Sequence, residues 1–524
     1  MPCQTLGMAR RRSHWAWGYA DEEPTAGDAA GLAELMAGGT GFKLDGDLED
    51  PVPPAAVRLP APRLVPPAAL AGICTTEPYD RMTHTYGQAY RDLIRAFRGR
   101  FDDPPDVVAY PRDERDVERV LEWAEHAAAA VIPYGGGTSV VGGVEPRGLG
   151  RAISLDLSRL GGVLDVDPTS RAARIQAGAT GPALNQRLGE HGLTLRHFPQ
   201  SYELSTLGGW IATRAGGHFA TLATHIDDLV ESVRAITPRG TWQSRRLPGS
   251  GAGVSPDRML LGSEGALGVI TEAWVRVQAR PAHRLTATAR FGSFAAGGEA
   301  VRAIAQAGLH PANCRLLDAT EARLTSGGDG ERALLVLGFE SADHPVEPWM
   351  DRALDLVRAH GGQADPPRGP RGGQAGAWRS AFLRMPYLRN SYPAIGVVAE
   401  TVETAVTWDR FPALHETVAA AIREVAGGIV TCRLAFVYPD GPAPYFTVLT
   451  PARRGDEIAQ WDEIKAVASD AILAGGGTIT HHHAVGRDHR PWYDRQRPDP
   501  FAAALRGAKA AVDPAGILNP GVLV

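Results

Sequence analysis

The stretch VIPYGGGTSVVGGVEP, from Val131 to Pro146, places five glycines within nine residues directly after an apolar, β-branched run. Glycine lets backbone N–H groups approach a phosphate closely, because no Cβ stands in the way. The spacing excludes two common phosphate loops. A dinucleotide fingerprint starting at Gly135 requires glycine where Val140 stands, and a P-loop requires a Gly-Lys-Ser/Thr sequence that does not follow. A plain glycine-rich hairpin remains the alternative to a phosphate-binding turn.

The bulk composition limits the classes of protein that the chain can belong to. Its 524 residues exceed what one hydrophobic core usually serves, which predicts two or three domains. Apolar residues make up 44% and charged residues 22%, as in an ordinary globular protein. The net charge of −5 gives no basic footprint, so no nucleic acid is expected as a partner. No apolar run is long enough to cross a bilayer. Whether the chain starts at Met1 or Met8, no signal-peptide pattern is present.

The cysteines indicate the compartment. Cys3, Cys74, Cys314 and Cys432 are scattered along the chain, without the C-x-x-C spacing of a zinc site or the density of a disulfide framework. We therefore expect a cytoplasmic protein with no metal site.

Hydrophobic periodicity predicts a strand–helix–strand order around the glycine-rich stretch, and helix–strand alternation beyond Pro281 indicates an α+β unit. Gly361–Gly376, GGQADPPRGPRGGQAG, is predicted to be an irregular, mobile loop because glycine and proline dominate it. The predicted strands are Val107–Ala109, a strand beginning at Val131, Ala152–Ser158 and Leu267–Val277, and the predicted helices are Asp113–Ala129, Gly181–His191 and Phe501–Val512.

Two later segments resemble the first glycine loop in character. Pro199–Gly217 interleaves hydroxyl side chains with glycines, and Gly262–Thr271 brings the backbone close again before it enters a strand. Each segment alone is explained as well by a tight turn. Three such segments together favour a long ligand, such as a dinucleotide, over a single phosphate.

The segment TITHHHAVGRDHRP, Thr478–Pro491, holds three consecutive histidines. In an extended segment, His481 and His483 lie on one side and His482 points away. This arrangement argues against a metal site built from the three alone. It leaves His482, or the outer pair, as acid/base or anion-binding candidates, with a solvent-exposed cluster as the alternative.

Short sequences along most of the chain resemble one family of flavoproteins. They are WGYAD (Trp17–Asp21), DRMTHTYGQAYRDL (Asp80–Leu93), IPYGGGTSV (Ile132–Val140), ELSTLGGWIATRAGG (Glu203–Gly217), IDDLV (Ile226–Val230), TPRG (Thr237–Gly240), GSEGALGVITEA (Gly262–Ala273), PANCRLLD (Pro311–Asp318), YLRN (Tyr387–Asn390), ETVETAVTWDR (Glu400–Arg410), TCRLAFVY (Thr431–Tyr438), GPAPYF (Gly441–Phe446) and THHHAVG (Thr480–Gly486). Their order and spacing are similar to those of the alkylglycerone phosphate synthases, within the FAD-binding superfamily of vanillyl-alcohol oxidase and p-cresol methylhydroxylase.

The resemblance implies an α+β fold with a two-part FAD-binding domain of the p-cresol methylhydroxylase type and an α+β substrate (cap) domain. The implied division is an N-terminal helical and linker region (1–100), an FAD-binding domain (101–283), a cap domain (284–470), and a C-terminal segment (471–524) that completes the active site and the FAD domain.

The resemblance also implies the cofactor site. The glycine loop would hold the FAD pyrophosphate, and because it contains no histidine, the FAD is expected to be non-covalent. The implied cofactor-binding residues are Pro133, Tyr134, Gly135, Gly136, Gly137, Thr138, Ser139, Gln200, Ser201, Tyr202, Glu203, Leu204, Ser205, Thr206, Thr213, Arg214, Ala215, Gly216, Ser263, Glu264, Gly265, Ala266, Leu267, Gly268 and Val269.

Family synthases replace the fatty acid of acyl-dihydroxyacetone phosphate with a fatty alcohol, forming an ether without net redox change. By resemblance, Tyr445 and the triple His481, His482 and His483 are catalytic, while Arg389, Arg315 and Thr401 bind the substrate. This set is chemically coherent, because guanidinium groups pair with phosphate and phenol and imidazole transfer protons. A small anionic or lipid substrate, a peripheral membrane contact and a homodimer are the expected partners.

Three departures keep other functions open. The C-terminal DPAGILNPGVLV resembles the D-lactate and glycolate dehydrogenases, GPAPYF is richer in proline than the family stretch, and Arg487 stands where lysine is usual. The alternative is therefore an FAD-linked 2-hydroxy-acid dehydrogenase or oxidase. A non-catalytic flavin-binding protein is disfavoured, because the arginines, the tyrosine and the histidines are all present.

Overall fold

The computed structural model describes residues 10–44, 46–369 and 373–524. Its helices are α1 (Ala26–Thr40), α2 (Pro78–Thr83), α3 (Tyr90–Phe97), α4 (Glu114–Ala127), α5 (Gly181–Gly189), α6 (Leu207–Thr213), α7 (Phe294–Gln306), α8 (Ala319–Ser326), α9 (Glu347–Ala359), α10 (Gly373–Leu388), α11 (Tyr392–Ile395), α12 (Phe411–Ala426), α13 (Glu457–Ala474), α14 (Arg490–Gln496) and α15 (Asp499–Val512). The strands are β1 (Cys74–Thr75), β2 (Val107–Ala109), β3 (Ala130–Tyr134), β4 (Ala152–Asp156), β5 (Val163–Asp167), β6 (Ala172–Gln176), β7 (Leu193–Thr194), β8 (Val230–Thr237), β9 (Gly240–Gln243), β10 (Val269–Arg276), β11 (Gln278–Ala279), β12 (His283–Phe291), β13 (Asn313–Leu317), β14 (Ala333–Ser341), β15 (Gln363–Ala364), β16 (Val397–Glu403), β17 (Ile429–Val437) and β18 (Pro442–Pro451).

Two main sheets build the first unit, which also contains the two-stranded sheet β11-β7. One has the order β1-β2-β4-β3, with β2, β4 and β3 parallel, and the other is antiparallel with the order β5-β6-β10-β8-β9. Helix α4 begins after Asp113, whose carboxylate accepts the N–H of Asp116, and it buries a stripe that includes Val117, Val120 and Leu121 in the core that both sheets share. The predicted strand–helix–strand order is confirmed.

The C-terminal segment covers the open edge of the first sheet. Val131 of the edge strand β3 donates its N–H to the carbonyl of Ile517, and the N–H of Asn519 returns to the carbonyl of Val131. Leu518, between them, is completely buried in the core of the first unit. The last residues of the chain therefore complete a sheet that begins more than three hundred residues earlier in sequence, and they protect its edge from solvent.

A third, antiparallel sheet forms the second unit, with the order β15-β12-β14-β13-β17-β18-β16. The strand β14, ALLVLGFES, is apolar almost throughout and is buried, as its interior position in the sheet requires. Helices α7, α9 and α12 pack their apolar residues into the core on one face of the sheet. The predicted helix–strand alternation is confirmed. Every helix in the described part of the chain is too short or too polar to cross a membrane.

The prediction for Gly361–Gly376 is wrong in part. Gln363 and Ala364 form β15, which pairs with Arg290 and Ala289 at the edge of the third sheet, and α10 begins at Gly373. The edge strand supplies backbone partners that local sequence cannot reveal. Residues 370–372 of this stretch lie outside the described residues. The boundary expected after residue 470 falls inside α13, which ends at Ala474.

Leu518→Ala should destabilise the protein, because it removes a completely buried side chain at the covered sheet edge. A loss of about 2–5 kcal/mol is expected for such a cavity. Thermal and urea unfolding measure it, with Phe501→Ala as the control, since Phe501 is 52% exposed in the neighbouring helix α15. Equal unfolding midpoints for the two variants would contradict the structural role of the C-terminal segment.

Candidate functional site

A cavity of about 560 Å³ lies where the glycine loop meets the third sheet. The loop residues Gly135–Ser139 line it from the first unit, and strands β13, β16, β17 and β18 line it from the second. A second cavity of about 280 Å³ lies beside the same loop. Gln88, Tyr134, Gly135, Gly136 and Thr206 border both cavities, so together they offer one elongated site that bends around the loop.

Close contacts with Leu204, Thr206 and Tyr134 require the glycines of the loop. A Cβ on Gly136 would lie 1.9 Å from the carbonyl oxygen of Leu204, and one on Gly135 would lie 2.3 Å from the Thr206 hydroxyl. Gly137 has a φ of +64°, and a Cβ there would meet the Tyr134 hydroxyl at 1.9 Å. At Gly136 no larger side chain fits without moving the backbone, and glycine at all three positions leaves the N–H groups of the turn accessible to a phosphate. The arrangement fits the pyrophosphate of FAD.

Most of the implied cofactor residues line the larger cavity. From the three segments these are Pro133, Tyr134, Gly135, Gly136, Gly137, Thr138 and Ser139; Gln200, Ser201, Ser205, Thr206, Thr213, Ala215 and Gly216; and Glu264, Gly265 and Gly268. Leu204 borders the smaller cavity instead.

The other implied cofactor residues support the turns from outside. The Tyr202 hydroxyl accepts a hydrogen bond from Asn185, Glu203 accepts one from Tyr387, and Arg214 pairs with Asp227. Ser263, Ala266, Leu267 and Val269 are buried beneath the third turn. A direct role for these seven residues in binding FAD stays a prediction, as does the non-covalent state of the cofactor.

Glu264 is the one carboxylate of the implied cofactor set that is buried at the cavity wall. Its carboxylate accepts the N–H groups of Val485 and Gly486, and its carbonyl accepts the side-chain amide of Asn519. Burial raises the pKa of Glu264 to about 7, although the two N–H donors oppose the shift. Glu264 thus joins the third glycine turn to the segment that follows the histidines.

The histidine triple is held by a single carboxylate. Glu403, at the end of β16, is buried and accepts the backbone N–H groups of His481 (2.7 Å), His482 (3.2 Å) and His483 (3.1 Å). It also accepts the Thr480 hydroxyl at 2.5 Å. Burial alone would raise the pKa of Glu403, but the neighbouring histidines, led by His482, hold it well below its usual value. The carboxylate is therefore ionised and fully hydrogen-bonded.

The predicted alternation of the histidines is wrong. His482 and His483 both line the large cavity, whereas His481 lies behind them, against His225 and Tyr438. The segment is not extended, because three successive N–H groups turn toward the same carboxylate. Burial, together with neighbouring histidines, lowers the pKa values of His481 and His483 well below the usual value, so both rings are neutral near pH 7.

Tyr445 lies across the cavity wall from the histidines. Its ring is stacked 6.0 Å from that of His482, centroid to centroid, and the Arg433 guanidinium lies 4.0 Å from its own ring centroid. Burial raises its pKa, and Arg433 and a hydrogen bond with Thr401 only partly offset the shift. Tyr445 therefore keeps its proton at neutral pH, next to an imidazole.

The two implied substrate arginines line the same cavity. Arg315 donates one hydrogen bond, to the His218 carbonyl at 3.0 Å, while its Nε and Nη1 are buried without partners. Burial and the nearby Arg433 lower the pKa of Arg315. Arg389 donates to the carbonyl of Gln88 at 2.7 Å. Neither arginine has a carboxylate within ion-pair distance in the described part of the chain, so both are suited to binding an anion.

Four site residues escaped the sequence analysis as individual candidates: Glu403, Arg433, Glu321 and Tyr438. The first three are ionisable residues at buried positions, and Arg433 pairs with Glu321 at 2.6 Å. A signal for Arg433 was present, since an arginine inside the apolar strand TCRLAFV is uncommon. Nothing local distinguishes Glu403 from Glu400, which lies three residues earlier in the same strand and is paired with Lys465.

Glu403, His481 and His482 bring ligand atoms close enough to share a metal ion. Both Glu403 oxygens, however, already accept backbone and hydroxyl hydrogens, and the Nδ1 atoms of the two imidazoles lie 3.1 Å apart in a hydrogen bond. The cluster is internally bonded. The expectation of no metal stays a prediction.

Comparison with known proteins decides the family. The model for "FAD binding domain" matches residues 105–245, and that for "FAD linked oxidases, C-terminal domain" matches residues 280–523. The alkyldihydroxyacetonephosphate synthase of Trypanosoma brucei brucei is 30% identical over 480 residues, covering 85% of this chain and 77% of the relative. The chain belongs to the alkyldihydroxyacetonephosphate synthase family. It is a flavoprotein with an FAD-binding domain.

Solved structures agree with this assignment. An alkyldihydroxyacetonephosphate synthase structure is 25% identical with a TM-score of 0.80, covering 97% of this chain and 98% of the other. The structure of p-cresol methylhydroxylase is 13% identical with a TM-score of 0.68, covering 95% and 97%, and shows the shared fold. The predicted two-part FAD-binding fold of the p-cresol methylhydroxylase type, with its α+β second unit, is confirmed.

Gly136→Ala should abolish or strongly reduce FAD content, because its Cβ cannot avoid the Leu204 carbonyl unless one turn moves. Flavin absorbance per protein after gel filtration measures the effect. The control is Gly150→Ala, where an added Cβ meets nothing within 4 Å. Unchanged flavin content in a folded Gly136→Ala variant would contradict the placement of the pyrophosphate at this turn.

Proposed function

We propose that the protein exchanges the acyl group of acyl-dihydroxyacetone phosphate for a fatty alcohol, forming an ether-lipid precursor. One observation carries the proposal: a single cavity holds two arginines free of carboxylates, a buried tyrosine beside an imidazole, and an apolar entrance. Family membership supports the same activity. When bound, FAD supplies a ring that can accept and return an electron pair within one turnover, so the exchange needs no outside oxidant.

The arginines suit the phosphate end of the substrate. Arg315 is buried over the rings of Trp378 and Phe382, at 4.6 and 5.0 Å, and this apolar cover keeps its guanidinium in place. A buried cation with unpaired N–H groups is costly until an anion binds. A phosphate dianion satisfies these donors in a fork geometry and offsets that cost. Arg389, directly after the end of helix α10, lines the same cavity and offers a second cation.

The entrance suits a long hydrocarbon chain. Helices α1, α8 and α10 surround it with apolar side chains, of which Leu35, Leu324 and Leu388 are 69%, 38% and 40% exposed. Exposed leucines around a cavity mouth are typical of a lipid-binding site. They support a fatty acyl or alkyl chain as part of the substrate, and a peripheral contact with a membrane.

A cytoplasmic location is also proposed, and the free thiols of Cys74, Cys314 and Cys432 suit that reducing compartment. Homodimer formation stays a prediction.

Proton transfer is assigned to Tyr445 and His482. The Nδ1 of His482 lies 3.3 Å from the Glu403 carboxylate, which favours a proton on that nitrogen. The other ring nitrogen, Nε2, then has a free lone pair and can accept a proton. Tyr445 holds its proton and can donate it. One base and one acid thus border the same cavity.

A 2-hydroxy-acid dehydrogenase or oxidase is the second candidate, because residues 280–523 match the "FAD linked oxidases" model. Such a substrate presents a carboxylate that either arginine could bind. It would leave the apolar entrance around Leu35, Leu324 and Leu388 unused. The alkylglycerone phosphate synthase activity is therefore preferred.

The choice is tested by mixing the anaerobic enzyme with acyl-dihydroxyacetone phosphate and a fatty alcohol, and separately with D-lactate, glycolate and longer 2-hydroxy acids. Ether product is expected from the first mixture, with flavin that does not remain reduced. Tyr445→Phe and His482→Ala should each lower turnover by about 10²-fold or more while retaining FAD. Stoichiometric bleaching by a hydroxy acid, with no ether formed, would overturn the proposal in favour of the second candidate.

Arg315→Met and Arg389→Met should raise the KM for the acyl substrate without lowering FAD content, because each removes a donor to the phosphate. For the buried Arg315 the expected loss of binding is about 2–5 kcal/mol. Steady-state kinetics and flavin absorbance measure both effects. Arg384→Met, an exposed position in helix α10 shortly before Arg389, is the control and should behave as wild type. Wild-type KM values in both variants would contradict the anion site.

A further inference from the structure

Behind the cavity, hydrogen bonds continue from His482 toward the surface. The Nδ1 atoms of His482 and His481 are 3.1 Å apart, and His481 Nε2 lies 2.7 Å from the Tyr438 hydroxyl. That hydroxyl lies 3.0 Å from the Thr224 hydroxyl. Tyr438 is only partly buried, and Pro439 and Asp440 after it are exposed. His481 itself does not line the cavity.

One arrangement of hydrogens satisfies this chain. The proton on His482 Nδ1 faces Glu403 and His481, so His481 Nδ1 accepts. His481 is neutral, because burial lowers its pKa, and it therefore carries its proton on Nε2 and donates it to the Tyr438 oxygen. The Tyr438 hydroxyl then donates to Thr224 or to solvent. Every link has one donor and one acceptor.

The proposed reaction releases a proton inside a lined cavity. An ester R–CO–O–CH₂– and an alcohol R′–OH give the ether R′–O–CH₂–, the carboxylate R–COO⁻ and one H⁺. This proton must leave before the next turnover. An apolar entrance filled by hydrocarbon chains offers no hydrogen-bonded path for it.

We propose that His481 and Tyr438 form the proton-exit path of the active site, connecting His482 to solvent at the Tyr438 edge. The inference rests on the proposed function, which supplies the proton. It gives His481 and Tyr438 a relay role without contact with the substrate, and explains why a histidine that faces away from the cavity lies in the bonded cluster.

The step balances by successive transfers. His482 takes the released proton at Nε2 and passes its Nδ1 proton to His481 Nδ1. His481 passes its Nε2 proton to the Tyr438 oxygen, and the original Tyr438 hydroxyl proton leaves to water. No other bond is made or broken, and both imidazoles end in the opposite tautomer, with protons on His482 Nε2 and His481 Nδ1. Rotation of the two rings then restores the starting tautomers before the next proton passes. The buried Glu403 carboxylate stabilises each transient imidazolium by its negative charge. It accepts the backbone N–H groups of both His481 and His482 and lies 3.3 Å from His482 Nδ1.

Tyr438→Phe tests the path, because it removes one hydroxyl and retains the ring that packs beside Phe436. We expect kcat to fall by about tenfold or more, with KM and FAD content unchanged. The solvent deuterium isotope effect on kcat should increase, and added imidazole buffer should restore part of the rate by carrying the proton. Tyr79→Phe is the matched control, since its hydroxyl donates to the Arg12 carbonyl outside this cluster.

The outcomes separate the relay from the function. Wild-type enzyme that forms no ether overturns both proposals. Active wild-type enzyme with Tyr438→Phe equal to Tyr79→Phe overturns the relay alone, as does a loss of kcat that buffer does not restore. If Tyr438→Phe fails to fold, Thr224→Val, which removes the next hydroxyl in the chain, takes the same buffer-rescue test. No rescuable loss in that variant overturns the relay.

Discussion

The buried carboxylate of Glu403 is the constraint on which the active site depends. An ionised group without water must find donors inside the protein, and Glu403 finds them in three consecutive backbone N–H groups of the histidine segment. This requirement bends residues 481–483 around the end of β16. The bend turns His482 and His483 toward the cavity and His481 away from it. The chemistry of the site thus follows from how one charge is satisfied.

The third sheet arranges the remaining groups in rows. Tyr445 in β18 is paired with Glu403 in the neighbouring strand β16 and with Arg433 in β17, the neighbour on the other side. All three side chains therefore lie on one face of the sheet. Arg315 is two residues from Leu317, which pairs with Arg433, and therefore projects from the same face. The opposite face carries Leu316 and Phe446 into the apolar core. One sheet consequently serves as a core wall on one side and a reaction surface on the other.

The buried arginines on that face differ in what they can do. Arg433 has Glu321 as its partner at 2.6 Å, and the pair is fully enclosed, which fixes the guanidinium over the Tyr445 ring. Arg315 lacks such a partner and keeps two nitrogens unbonded. Leaving buried donors unsatisfied destabilises a folded protein, by about 1–3 kcal/mol for each group. Under the proposed function, the phosphate of the substrate would satisfy these donors and offset that cost.

Much of the fold could be predicted from the sequence where the information is local. The apolar stripe of α4, the β-branched run before Gly135 and the alternation beyond Pro281 each fix an element through its own periodicity. The quoted motifs implied the family, the FAD site and the tyrosine, arginine and histidine residues that line one cavity. Gly361–Gly376 could not be predicted in this way, since β15 exists only because the edge of β12 offers partners.

The sequence by itself, through its resemblance to the family, indicated Tyr445, His482 and the two arginines as candidates and placed glycine at the turn, because residue type and backbone freedom are local properties. Only the tertiary structure decided which of those residues face each other. The strand register places Glu403 and Arg433 beside Tyr445, and a carboxylate 78 residues before His481 sets the direction of each imidazole. Register and burial arise from contacts between distant segments, and a one-residue shift in pairing would turn the same side chains to the other face.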